Sequence, residues 1–278
     1  MISARVRGGP GGGGSVKGSG VRRIRRCAIS ILVFLMLLVV WEILSAKSVM
    51  VRILVSSPFQ VARYFVGHIN ELLLDAGVTS VESFAGLIMG ACVACVAMLL
   101  ASRRPSSLRW IITSAQTTQA LPLISLAPFF IVAFGLGIAS KVAMTILVSF
   151  FPLLMGLAGA SRSLPQDWDD YVRFRGTNPD RRFWFVAARL RLPDLLRSTR
   201  IAASLSVVGA IVAEFNGASY GLGRNLFIAA KRLEPELMVA SISSAVCLSL
   251  FYYSALGLVD RIVNRWYWDS VSRQEEAQ

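Results

Sequence analysis
Charge is scarce in this chain of 278 residues: Asp, Glu, Lys and Arg make up only 16%, against 55% hydrophobic residues, and the mean hydropathy is +0.60. Soluble domains carry about 25% charged residues, so a chain of this composition lacks the polar surface that a soluble globule of its length requires. Acids are scarcer still, 16 against 29 Lys and Arg, and histidine is reduced to His68, which excludes a His-rich metal site. Neither H-E-x-x-H nor G-x-x-x-x-G-K-[ST] occurs, so the chain carries no zincin helix and no nucleotide-binding P-loop. Cysteine is limited to Cys27, Cys92, Cys95 and Cys247, all in or beside apolar runs. Cys92 and Cys95 fall on one helical face at membrane depth, where small packing residues are the simpler reading than redox or metal chemistry.

What the chain has instead is long apolar runs. Six stretches, 27–44, 79–101, 121–136, 140–160, 195–215 and 238–262, supply or approach the ~20 residues that cross a bilayer. The first is long for a signal-peptide core and is followed by no clear small-residue cleavage site. The third is the shortest and follows a polar amphipathic stretch at 108–120 that either lies at the interface or extends the span. The expected fold is therefore all-α and polytopic, with six transmembrane helices. Residues 1–26, rich in Gly and Arg, read as a disordered cytoplasmic tail. Residues 27–268 read as the transmembrane domain, and 269–278 as a cytoplasmic C-terminal tail. With both termini inside, the cytoplasmic segments hold 22 Lys and Arg and the outer ones 7, as the positive-inside rule requires. The same distribution accounts for the net charge of +13 without a nucleic-acid partner.

One hydrophilic loop, 163–193, is too charged to span. Ser163 can cap a short helix, with Pro165 in its first turn and Asp167, Asp169 and Asp170 at its positive end; Gly176 ends it. Asn178-Pro179 opens a second helix, and Pro193 marks entry to the fifth span. A helix–turn–helix exposed on the cytoplasmic face is either a docking knob or an amphipathic hairpin anchored at the interface.

Three further segments make the sequence recognisable: L-P-L-I-S-L-A-P-F-F-I-V-A-F-G-L-G-I-A-S-K at 121–141, F-F-P-L-L at 150–154 and A-E-F-N-G-A-S-Y-G-L-G at 213–223. Together with the 163–193 loop, in this order and spacing, they resemble the binding-protein-dependent ABC importer permeases of the nitrate/sulfonate/taurine type, over about 73–268. The loop resembles that family's EAA loop, with Asp170-Tyr171-Val172 in place of E-A-A, Gly176 kept, Arg189 at the first family proline and Pro193 at the second. The resemblance implies a type I importer permease that is not itself an enzyme and carries no cofactor. ATP and magnesium would belong to a separate ATPase subunit. It implies an ATPase contact through Asp170, Arg173, Arg175, Gly176, Arg181, Arg182 and Phe183. The implied partners are that ATPase, a second copy or a related permease, an extracytoplasmic binding protein and the lipid bilayer. The implied location is the bacterial inner membrane, and the implied cargo a small solute such as nitrate, a sulfonate or taurine.

The remaining polar residues of the spans have two readings each. Glu214 and Glu82 lie at span ends, where a gating or receptor-docking role competes with placement among headgroups. Gln116, Gln119 and Ser125 either line a pathway or face headgroups. Gly217, Gly221 and Gly223 mark a tight outer loop that the resemblance makes a motif. A secondary transporter driven by an ion gradient is the rival function; it predicts ionisable residues at mid-span and often an internal repeat, and neither is evident.

Overall fold
The structure, a computed structural model, describes residues 16–47, 56–102, 105–119, 122–162 and 192–275. Asp170, Arg173, Arg175, Gly176, Arg181, Arg182 and Phe183 all lie outside the described residues. Every regular element among the described residues is a helix: α1 Val16–Lys47, α2 Pro58–Gly67, α3 Ile69–Ser102, α4 Pro105–Gln119, α5 Leu123–Phe134, α6 Ile138–Arg162, α7 Leu192–Phe215, α8 Leu222–Arg232 and α9 Pro235–Glu275. The chain divides into two units, Met1–Gln60 and Val61–Gln278.

In the first unit, α1 contains the apolar window Ala28–Ser45. The helix begins at Val16, inside the stretch expected as a tail, just as α9 runs on to Glu275 beyond the expected end of the transmembrane domain. The start of α2 is a reciprocal cap: the Gln60 N–H donates to Ser57 Oγ (3.3 Å) and the Ser57 N–H to Gln60 Oε1 (3.1 Å), with Pro58 at the first helical position, where its missing N–H costs nothing.

In the second unit α6 is the central helix, packed against α3 and α7, which also touch each other, and α7 in turn packs against α9. The contacts are close because small residues line them. Gly86 and Gly90, four apart on α3, face Thr145 and Ser149 of α6; a Cβ at Gly209 of α7 would sit 3.0 Å from the Thr145 Cα. This is the close backbone approach by which membrane helices associate where no hydrophobic effect draws them together. Leu87, Met98, Leu154, Leu157 and Val207 fill the core around these seams, and Cys95 packs against it. Deeper on α7, the Arg200 guanidinium lies 4.2 Å from the Tyr253 ring centroid and 3.3 Å from Asp260 Oδ2, in space left by Gly257. The outward surface is apolar, with Leu73, Leu74, Val96, Leu250 and Phe251 more than half exposed, the inverse of a soluble protein and the surface a bilayer covers.

Among the described residues, five helices are long and apolar enough to cross a membrane, in α1, α3, α6, α7 and α9. The third expected span is instead the 12-residue α5, about 18 Å long at 1.5 Å per residue against a core of about 30 Å. The run is interrupted because Pro122 precedes α5 and Gly135 (φ 82°) ends it. The six-span expectation thus meets five long helices and one short apolar helix.

Candidate functional site
At the end of the bundle where α7 gives way to α8, the 213–223 segment folds over its own acid. Glu214 closes α7 and is 0% exposed. The loop turns back through Gly217 and Gly221, so that α8 starts directly above the Glu214 carboxyl group. Gly221, the N-cap residue of α8, has no side chain with which to satisfy the free N–H groups of the first turn. Neighbouring helices supply the acceptors. The Gly223 N–H donates to Glu214 Oε2 (2.7 Å), the Leu222 N–H to Thr79 Oγ1 (3.0 Å) and the Gly221 N–H to Asp75 Oδ1 (3.0 Å). Thr79 Oγ1 donates in turn to Glu214 Oε1 (2.7 Å), and Asn225 Nδ2 donates to Asp75 Oδ2 (2.7 Å). Acids at a helix N-terminus also complement its dipole. The cap of α8 is thus assembled from α3 and α7.

The glycines follow from this arrangement. Gly221 has φ 117°, and a Cβ there would strike the Glu214 carboxyl group; a Cβ at Gly223 would strike the Ile211 carbonyl and lie 2.7 Å from Glu214 Cβ. Glycine is needed at the first for backbone conformation and at both for close approach.

Below the cap a buried ion pair joins α3 to α6: Lys141 Nζ lies 2.6 Å from Glu82 Oε1, the side chains 12% and 4% exposed. Glu82 Oε2 is buried with no hydrogen-bond partner among the described residues, and Glu82 shares one face of α3 with Asp75 and Thr79. One polar seam therefore runs from Asp75 through Thr79 and Glu214 to Glu82 and Lys141.

Outside the seam, a cavity of about 400 Å³ opens between the first turns of α3 and α8, lined among others by Tyr64, His68, Tyr220 and Arg224. Tyr64 and His68 stack at 4.2 Å between ring centroids, and His68 Nδ1 lies 3.1 Å from the Tyr64 carbonyl oxygen. Burial, with the charges of Glu234, Glu71 and Glu236, pushes the Tyr64 hydroxyl above its ordinary range.

The structure brings Glu214, Gly221 and Gly223 together, with Gly217 at the preceding turn. Gln116 is exposed on α4, Ser125 is exposed with its Oγ donating to the Pro122 carbonyl (2.7 Å), and the Gln119 side chain lies outside the described residues. None of these three is a partner of Glu214 among the described residues. Sequence reasoning missed Asp75, Thr79 and Asn225, and saw Lys141 only as a turn charge. A signal was there: Asp75, Thr79, Glu82 and Ser83 recur at helical spacing in an otherwise apolar helix, which makes a polar stripe on one face. Among the described residues no cluster of three His, Cys, Asp or Glu that could hold a metal ion occurs.

A protein-family model described as "Binding-protein-dependent transport system inner membrane component" matches residues 84–266. The chain is similar to a Haemophilus influenzae protein named "Probable ABC transporter permease protein", at 29% identity over 84% of this chain and 94% of that one. It is similar to the formylaminopyrimidine transport permease protein of Halalkalibacterium halodurans, at 31% identity over 69% of this chain and 77% of that one. The taurine transport system permease protein of Escherichia coli shares 24% identity over 54% of each chain.

Proposed function
Because the chain belongs to the binding-protein-dependent transport system inner membrane component family, the multi-pass permease subunits of ABC transporters, we propose that it forms the translocation pathway of an ATP-driven importer. The observation that carries this reading is the match over 84–266, which takes in the 121–141, 150–154 and 213–223 segments. Subunits of this family are not themselves enzymes; hydrolysis would take place on a separate ATPase, and an extracytoplasmic binding protein would deliver the solute. Two permeases, identical or related, would pair around the pathway.

In this reading both termini are cytoplasmic, α4 and α5 cross the membrane jointly, and the 163–193 loop docks the ATPase through Asp170, Arg173, Arg175, Gly176, Arg181, Arg182 and Phe183. ATPase closure can shift the permease only by binding that loop better in one state than in the other. At the opposite end, the α8 cap makes α3, α7 and α8 move as one body, so Glu214 acts as the fixed base of an outer gate, while Gln116, Gln119 and Ser125 border the path. The solute is a small organic molecule. A heteroaromatic pyrimidine-like cargo is favoured over taurine by the 31% identity to the formylaminopyrimidine permease against 24% to the taurine permease.

The test is uptake into proteoliposomes holding this chain, its ATPase and its binding protein. Uptake should need ATP, vanish with a hydrolysis-dead ATPase and withstand an ionophore. Uptake that persists without the ATPase and collapses with the ionophore would establish the ion-driven secondary transporter instead. Gly176→Val and Asp170→Ala should leave insertion intact and lower ATPase stimulation and uptake together; normal transport by both would reduce the loop to an interfacial anchor. Thermal shift of the binding protein against pyrimidines and sulfonates decides the solute class.

A further inference from the structure
The cavity beside the α8 cap has an apolar neighbour. Directly adjoining it, and sharing Leu72 as a wall, is a groove of about 220 Å³ between α3 and α9, lined by residues such as Phe65, Leu73, Cys247 and Phe251 and by no ionisable carboxylate or amine. The polar cavity sits at the first turns of α3 and α9, whose apolar spans begin at Ile69 and Pro235, the depth at which headgroups lie. On α3 the groove lies beside the cavity, at Ile69 to Ala76 against Glu71 to Asp75, and on α9 it runs further along the helix, from Ser244 to Phe251. Leu237 lines the cavity and Phe251 the groove, a separation of about 21 Å along α9 at 1.5 Å per residue, which reaches well into the hydrocarbon.

The charges of the cavity are of both signs. Asp75 is already occupied by the Gly221 N–H and by Asn225, and Arg232 lies 3.9 Å from Glu234. Arg224 and Glu71 both line the cavity, and among the described residues neither has a hydrogen bond or ion pair. One cation and one anion without a partner among the described residues thus face a single space of about 400 Å³, within the ~300–1,000 Å³ of ligand sites, beside an apolar slot.

We propose that the cavity and its adjoining groove are a binding site for a phospholipid with a zwitterionic headgroup. The phosphate sits on Arg224, the ammonium between Glu71 and the Tyr64 ring, and one acyl chain lies in the groove against Phe65, Leu73 and Phe251. An ammonium gains from both a carboxylate and an aromatic face, and a phosphate from a guanidinium fork. A headgroup of net negative charge would leave Glu71 unpaired and face repulsion. The site rests on the chain spanning a membrane and on this geometry, and is independent of which solute is carried.

The experiment is native mass spectrometry of the assembled transporter, with lipid extraction, after exchange into nanodiscs of equal phosphatidylethanolamine and phosphatidylglycerol. Wild type should retain about one phosphatidylethanolamine per chain through detergent wash. Arg224→Ala and Glu71→Gln should each lower retention about tenfold, and Ala76→Phe, which fills the groove wall without touching a charge, should do the same. Preferential retention of phosphatidylglycerol overturns the proposal, and needs no variant to fold. So does retention of neither lipid, which leaves the cavity and groove to another protein segment. Retention unchanged by Ala76→Phe in a variant that elutes as wild type also overturns it, because the acyl chain then lies elsewhere.

Discussion
Thr79→Val is the most direct probe of the α8 cap, because it changes one atom's chemistry at nearly constant volume. The Thr79 hydroxyl donates to Glu214 Oε1 at 2.7 Å and accepts the Leu222 N–H at 3.0 Å, and Thr79 is 0% exposed. Valine fills the same space and does neither. The Leu222 N–H and Glu214 Oε1 are then left buried without a partner, and each such group costs about 1–3 kcal/mol, giving about 2–6 kcal/mol together. The loss falls on the start of α8 rather than on the α3–α6–α7 core. Hydrogen exchange of the Leu222 and Gly223 amides reads it directly: 2 kcal/mol, the low end, is a factor of about 30 in the local opening equilibrium. Thr79→Ser, which keeps the hydroxyl, should exchange within a few-fold of wild type, and amides in the middle of α6 should not change in either variant. If the Leu222 and Gly223 amides of Thr79→Val exchange as slowly as those of wild type, the cap is not held by this hydroxyl and the account of α8 fails.

Lys141→Met should destabilise the detergent-purified protein by about 3–5 kcal/mol, because it strands Glu82 in the interior, whereas Lys141→Met with Glu82→Gln should recover most of the loss; thermal unfolding of the four-member cycle decides, and a neutral single variant would refute the pairing. Gly223→Ala places a Cβ against the Ile211 carbonyl and Glu214, so the yield of monodisperse protein on size exclusion should fall sharply, whereas Gly77→Ala, with open space around it, should behave as wild type. Reporter fusions after Gly77 and Arg224 should read outside and a fusion after Arg175 inside; an inside reading at Arg224 would put α8 on the ATPase side and invert the proposed mechanism.

Much of the architecture is local in origin and was therefore open to reading along the chain. A bilayer forces each span to satisfy its own backbone hydrogen bonds, so helical character, approximate span ends and an apolar outer surface follow from composition and run length alone. At 121–136 run length alone left open what Pro122 and Gly135 do, which is to cut the helix to 12 residues. It did pick out Glu214, as an acid at a span end, and Gly221 and Gly223, as a loop motif carried by resemblance. Their purpose lies in pairings no local pattern encodes. Thr79 meets Glu214 from 135 positions away, and Asp75 meets Asn225 from 150. Lys141 reads as a loop charge until α6 is laid against α3 and its ammonium reaches Glu82. The stripe of Asp75, Thr79, Glu82 and Ser83 announces that one face of α3 is polar; only the packing of α6, α7 and α8 onto that face determines that the stripe caps a helix, because the acceptor a buried N–H finds depends on which backbone the folded chain brings within 3 Å of it.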